Sequence, residues 1–240
     1  MPRKSRTVAI PQFITLTGVF FGMLSILWAE AQPYWACVAI IGAAFCDMID
    51  GRIARFTGTS SEFGAELDSL ADIVSFGLAP AILVYHYGIH GGGLSQGFDP
   101  WIFVPFVFVA CGALRLARFN VAAGEAGETK DFQGIPIPIA ALLLTTLVMA
   151  SVEVGWKMAA EKEFMVPFVL TIALLMVSSI PLPSFKDLKR RRAKILLFGS
   201  IAVGFLILGL GGAAGTLLFG VLACYVLLGI ARGALARISA

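Results

Sequence analysis

Eight long apolar runs limit this chain more than any other feature. They fall near residues 12–29, 34–54, 66–87, 101–121, 135–152, 164–181, 194–210 and 213–232. A helix needs roughly 20 mostly apolar residues to cross a bilayer, so each run has about the length of one crossing. Of the 240 residues, 58% are hydrophobic and 14% charged, against about 25% charged in soluble domains. A membrane β-barrel needs alternating segments of about ten residues, whereas these runs are continuous. The expected fold is therefore an all-α polytopic membrane protein. The breaks carry turn-forming text: "AEAQPYW", "HGGGLSQGFDPW" and "PLPSFKDLKRRR". Cys37, Cys46, Cys111 and Cys224 all lie inside apolar runs without a CxxC pair, which suits packing rather than metal binding. The basic "MPRKSR" start lacks a small-residue cleavage site before the next charges, so an uncleaved first helix is expected.

The basic residues orient these spans. With the N-terminus in the cytoplasm and eight alternating crossings, 16 of the 18 Lys and Arg fall on the inside, and only Lys157 and Lys162 lie outside. That is the positive-inside pattern. It places both termini in the cytoplasm and sets the ends of spans two and three at the cytosolic surface. The run "KDLKRRRAK" at 186–194 either orients its helices or contacts anionic headgroups. No nucleic-acid motif accompanies it.

Between spans two and three lies "DMIDGRIARFTGTSSEFGAELDSLAD". Asp47 and Asp50 are three apart at the end of one span, and Asp68 and Asp72 four apart at the start of the next. Each pair shares a helix face. Joined antiparallel through the polar turn "GRIARFTGTSSEFGAEL", the helices bring four carboxylates together. Four such anions repel unless a cation sits among them. Oxygen donors without His or Cys suit a hard ion, Mg²⁺ or Mn²⁺ before Zn²⁺. Four aspartates can hold two ions, an arrangement suited to phosphoryl transfer. Gly51 and Gly64 allow close approach of a phosphate or sugar, and Arg55 can pair with a phosphate. Glu62 and Glu66 lie off the spacing and are read as solvated.

The string Asp47-x-x-Asp50-Gly51-x-x-Ala54-Arg55, eight residues, Gly64, three residues, Asp68, three residues, Asp72 resembles in full the motif of the CDP-alcohol phosphotransferases. These membrane enzymes displace CMP from a CDP-linked lipid or alcohol. The resemblance implies Asp47, Asp50, Asp68 and Asp72 as metal ligands, with Asp72 also the base on the acceptor hydroxyl. Gly51, Ala54, Arg55, Ser61 and Gly64 would contact the CDP-lipid. It implies six helices around a polar cavity open to the cytoplasm, usually in a homodimer. On that basis residues 1–185 form the catalytic membrane domain, and 186–240 add a basic loop and two further helices.

Three more segments, "DSLADIVSFGLAPA", "CGALRLARFNV" and "FQGIPIPIAA", resemble the phosphatidylserine synthase branch. That branch implies CDP-diacylglycerol as donor, L-serine as acceptor and CMP as product. Arg115 and Arg118 share one face of span four and can bind a carboxylate or a lipid phosphate by two prongs. Asn120 is either a cap or an acceptor contact. Pro136 and Pro138 read as helix-entry residues. Relatives commonly begin span one with Pro-Asn-x-x-Thr, whereas this chain has "PQFIT". Gln12 keeps an amide one methylene longer, Thr15 remains a candidate contact, and Gly18 replaces a frequent second Asn. Three rival readings are the same chemistry on glycerol 3-phosphate or inositol, a divalent-cation transporter, and an inactive scaffold. Carboxylates at helix ends and the interleaved glycines and arginine disfavour permeation, and the intact Asp72 disfavours a scaffold.

Overall fold

The computed structural model describes residues 3–57, 61–90, 98–124, 134–178 and 213–238. Its elements are α1 (Arg3–Trp28), α2 (Pro33–Thr57), α3 (Glu62–Ile89), α4 (Phe103–Gly124), α5 (Ile137–Val154), α6 (Lys162–Val177) and α7 (Ala214–Ile238). No strand occurs among the described residues. Among the described residues, four segments are long and apolar enough to cross a membrane: Pro11–Trp28, Glu62–Ile89, Pro100–Val121 and Ile137–Val154. The expected seventh span and the basic run at 186–194 lie outside the described residues.

The first helix shows what solvent the fold is made for. Phe13, Leu16, Phe20, Met23 and Leu27 recur at steps of three and four and are exposed. Thr15, Gly18, Gly22 and Ser25 recur the same way and are buried. The large apolar face is outside and the small face inside. In water such a stripe would be a liability, but against lipid tails it matches its surroundings. Small inner residues then let helices approach closely. At Gly22 an added Cβ would meet Ser75 Oγ at 2.9 Å and its Cα at 3.0 Å.

The polar turn between the carboxylate pairs is shorter than its composition suggests. α2 continues through Gly51–Thr57, and α3 already starts at Glu62. Gly51 alone is a weak helix breaker, and the stronger interruption begins at Gly58. Ser61 starts α3 as its N-cap, its Oγ accepting the Gly64 N–H at 3.1 Å.

α3 touches α1, α2, α4, α5 and α6. It widens into π-helix at Ile73–Leu78, one residue after Asp72, and again at Tyr85–Ile89. The Ala79 N–H reaches back five residues to the Val74 carbonyl. Pro80 follows directly. It has no N–H to give a regular ladder, and the wider register accommodates it.

α5 is the central post. It is buried nearly all round, and its Thr145 and Thr146 hydroxyls satisfy themselves on carbonyls one turn earlier. Pro136 immediately precedes the helix and Pro138 lies in its first turn, in keeping with helix entry. Gly134, with φ +76°, leads into it, and a Cβ there would collide with the Met176 carbonyl. Gly155, with φ +71°, ends it in the left-handed conformation.

Candidate active site

The carboxylates converge. Oxygens of Asp47, Asp50 and Asp68 lie within 4.8 Å of one another. Asp72 joins them in lining a small, partly open cavity, together with Thr15, Gly18, Ala43, Ala71, Ser75 and Phe76. Helix spacing explains the pairing: α2 aims Asp47 and Asp50 the same way, and α3 does so with Asp68 and Asp72. Asp50 is 4% exposed, so its charge is stripped of most of its water.

The donor set tests whether a hard cation fits. The four acids supply oxygen only, and among the described residues no His, Cys, Lys or Arg lines the cavity. Close carboxylates without a cation among them repel. Oxygen ligands within a few ångströms of a common point are what a divalent ion such as Mg²⁺ requires. The residues fit the ion.

A cation stands nearby. Arg115 on α4 is close enough to Asp72 for their charges to interact. Its Nε is buried without a hydrogen-bond partner. Arg118, also on α4, is exposed, and its Nη1 donates to the Val177 carbonyl at the end of α6. Asn120 Nδ2 donates to Ser69 Oγ at 3.0 Å, linking α4 to α3 beside Asp68. The two arginines therefore differ: one has a helix end to close, the other a buried, unmatched donor near Asp72.

The remaining expected contacts are placed as follows. The Thr15 hydroxyl donates to Asp50 Oδ2 at 2.7 Å. Gln12 is half-buried on the same helix, three residues earlier. Ser61 and Gly64 bond each other at the start of α3. Gly51 is half-buried on α2. The side chains of Ala54 and Arg55 lie outside the described residues, although their backbone continues α2. Glu62 and Glu66 are exposed.

Four residues lining the cavity, Ala43, Ala71, Ser75 and Phe76, carried no expected role, although all but Ala43 stand in the segment "DSLADIVSFGLAPA". Ser75 lines it and donates to the Gly18 carbonyl at 3.1 Å. Phe76 and Ala43 complete its apolar wall. Only the small size of Ser75 and Gly18 hinted at close packing. Nothing marked the π-helix that turns Ser75 toward α1, although such bulges recur at functional sites.

Residues 8–180 match the family described as CDP-alcohol phosphatidyltransferase. A CDP-diacylglycerol–serine O-phosphatidyltransferase of Helicobacter pylori is 36% identical over 181 residues, covering 75% of this chain and 73% of that protein. An archaetidylserine synthase of Methanothermobacter thermautotrophicus is 34% identical, covering 73% of this chain and 70% of that protein. A further CDP-diacylglycerol–serine O-phosphatidyltransferase, from Methanocaldococcus jannaschii, is 34% identical over 76% of this chain and 77% of its own.

Proposed function

This chain belongs to the CDP-alcohol phosphatidyltransferase family, and from that premise we propose that it transfers a phosphatidyl group from CDP-diacylglycerol to L-serine, releasing CMP. The observation that carries the reading is one cavity lined by Asp47, Asp50, Asp68 and Asp72, with the unmatched Arg115 donor beside Asp72. Serine appears in the names of relatives with a diacylglycerol donor and with an archaetidyl product. What they share is the headgroup, which is where this cavity discriminates.

The chemistry follows from the residues. Asp47, Asp50, Asp68 and Asp72 would hold two Mg²⁺ or Mn²⁺ ions. Such ions, when bound, neutralise the diphosphate and the departing CMP phosphate. Asp72 takes the proton from the serine hydroxyl. The serine oxygen forms a bond to the phosphorus bearing the lipid, and the bond from that phosphorus to the bridging oxygen breaks. CMP leaves with that oxygen and its electron pair. Arg115 receives the serine carboxylate, because its Nε is unmatched while Arg118 and Asn120 already have partners. Gly51, Ala54, Arg55 and Gly64, with Gln12, form the nucleotide side.

The 16-to-2 division of basic residues turns this cavity to the cytoplasm, with both termini there. The lipid tails lie between helices, and two copies of the chain associate. An acceptor panel tests the reading. Purified protein with Mg²⁺ or Mn²⁺ and CDP-diacylglycerol should release CMP with serine, and far less with glycerol 3-phosphate or inositol. The Asp72→Asn variant should lose about 10²- to 10⁴-fold, the usual contribution of a positioned base. Equal turnover of glycerol 3-phosphate would overturn the acceptor, and an active Asp72→Asn would overturn the base.

A further inference from the structure

We infer that Thr15 is a positioning residue for the divalent-cation site, and that α1 is the element that sets the two carboxylate-bearing helices in register. The inference rests on the metal reading given above. Thr15 is buried, and its hydroxyl reaches two oxygens: Asp50 Oδ2 at 2.7 Å and the Pro11 carbonyl, one turn earlier on its own helix, at 3.0 Å. A hydroxyl has one proton. Charge-assisted O–H···O⁻ bonds run at about 2.5–2.7 Å, so the carboxylate takes it, and the carbonyl is the weaker, shared acceptor. One oxygen of Asp50 is thereby held by α1.

One turn further along, the same face of α1 holds α3. The Gly18 carbonyl accepts from Ser75, and Gly22 lies so close to Ser75 that a Cβ has no room. α1 packs along α2 and against the Glu62–Val84 part of α3, whereas α2 meets α3 mainly beyond Asp72. The two carboxylate pairs are thus aligned through a third helix. Residues that orient metal ligands typically matter 10- to 100-fold in affinity or activity when removed. Thr15 therefore acts through Asp50 rather than on the nucleotide.

Mn²⁺ binding tests this without donor or acceptor, read by the loss of free-ion electron paramagnetic resonance signal on titrating detergent-purified protein. Thr15→Val keeps the shape and loses the proton, Thr15→Ala is a second deletion, and Thr15→Ser keeps the hydroxyl. Thermal melting without metal reports folding. The expected result is Mn²⁺ affinity weakened about tenfold or more in the Val and Ala variants, and within about twofold of the unsubstituted protein for Ser, in line with oriented metal ligands elsewhere. Wild-type affinity in a folded Val or Ala variant overturns the inference and leaves the metal reading intact, as does a Ser variant as weak as Val. If the unsubstituted protein itself binds no Mn²⁺, both fall together.

Discussion

At the level of single residues, the four aspartates were legible because their function is written in local spacing. Three and four residues apart means one helix face, whatever the rest of the chain does. Thr15 was legible as a candidate CDP-lipid contact from its place in "PQFIT", but not as a partner of Asp50. Its partner lies 35 positions away, and no local rule connects them. Arg115 and Arg118 look equivalent in sequence, and only the structure separates them. Arg118 closes the end of α6, while Arg115 keeps a buried, unmatched Nε near Asp72. Replacing Arg115 by Lys keeps the charge and loses the planar fork. The expected outcome is a KM for serine raised at least tenfold, with the KM for CDP-diacylglycerol within about twofold, checked by steady-state CMP release. An unchanged serine KM would remove Arg115 from the acceptor pocket.

Among the elements, the apolar runs located the helices, but their ends followed capping rather than composition. The loop between α2 and α3 shrank because nothing from Arg52 to Thr57 breaks a helix and Ser61 starts the next one. The π-helical stretches of α3 were not legible, since they answer to packing of Ser75 against α1 and to Pro80. Two left-handed glycines separate backbone strain from crowding. Gly155 has φ +71° and nothing within 4 Å of an added Cβ, so Gly155→Ala should cost only the left-handed penalty, about 1–2 kcal/mol. Gly134 has φ +76° and faces the Met176 carbonyl, so Gly134→Ala should lower the melting temperature further. Equal melting shifts in the two variants would contradict the close packing of that turn.

The C-terminal end of α3 carries a separate polar clasp. Tyr85 Oη and His90 Nδ1 both donate to Asp99 Oδ2 at 2.9 Å, and Asp99 Oδ1 accepts the Trp101 N–H. The His90 bond first, then the Trp101 N–H and Tyr85, hold the Asp99 carboxyl below the usual carboxylate range. A depressed carboxylate contributes stability above its unfolded pKa of about 3.9 and loses it as pH falls through the lower folded value. The clasp should therefore be closed at neutral pH and open only below about pH 4. Amide exchange at Trp101 checks this. Faster exchange on acidification, beyond the intrinsic pH effect, is expected in the native protein and absent in Asp99→Asn.

For the whole molecule, an all-α membrane protein with its acidic site between spans two and three follows from hydropathy and charge alone. How the last helix joins the core did not. Both carboxylate oxygens of Glu153, at the end of α5, accept N–H groups of Gly215 and Thr216 at the start of α7. A carboxylate there satisfies exposed amides and the positive end of the helix dipole. That contact spans more than 60 residues of sequence and is invisible to any local pattern. It makes α7 part of the same packed body as the catalytic helices.

The central claim is that this body delivers a lipid-bearing phosphorus to the hydroxyl of serine. Serine labelled with ¹⁸O in that hydroxyl tests it most directly, with product lipid and CMP analysed by mass spectrometry after turnover by the purified protein. Attack by the serine oxygen on phosphorus leaves the label in the phosphatidylserine bridge and none in CMP. An unlabelled lipid product, or label recovered in CMP, would contradict the account.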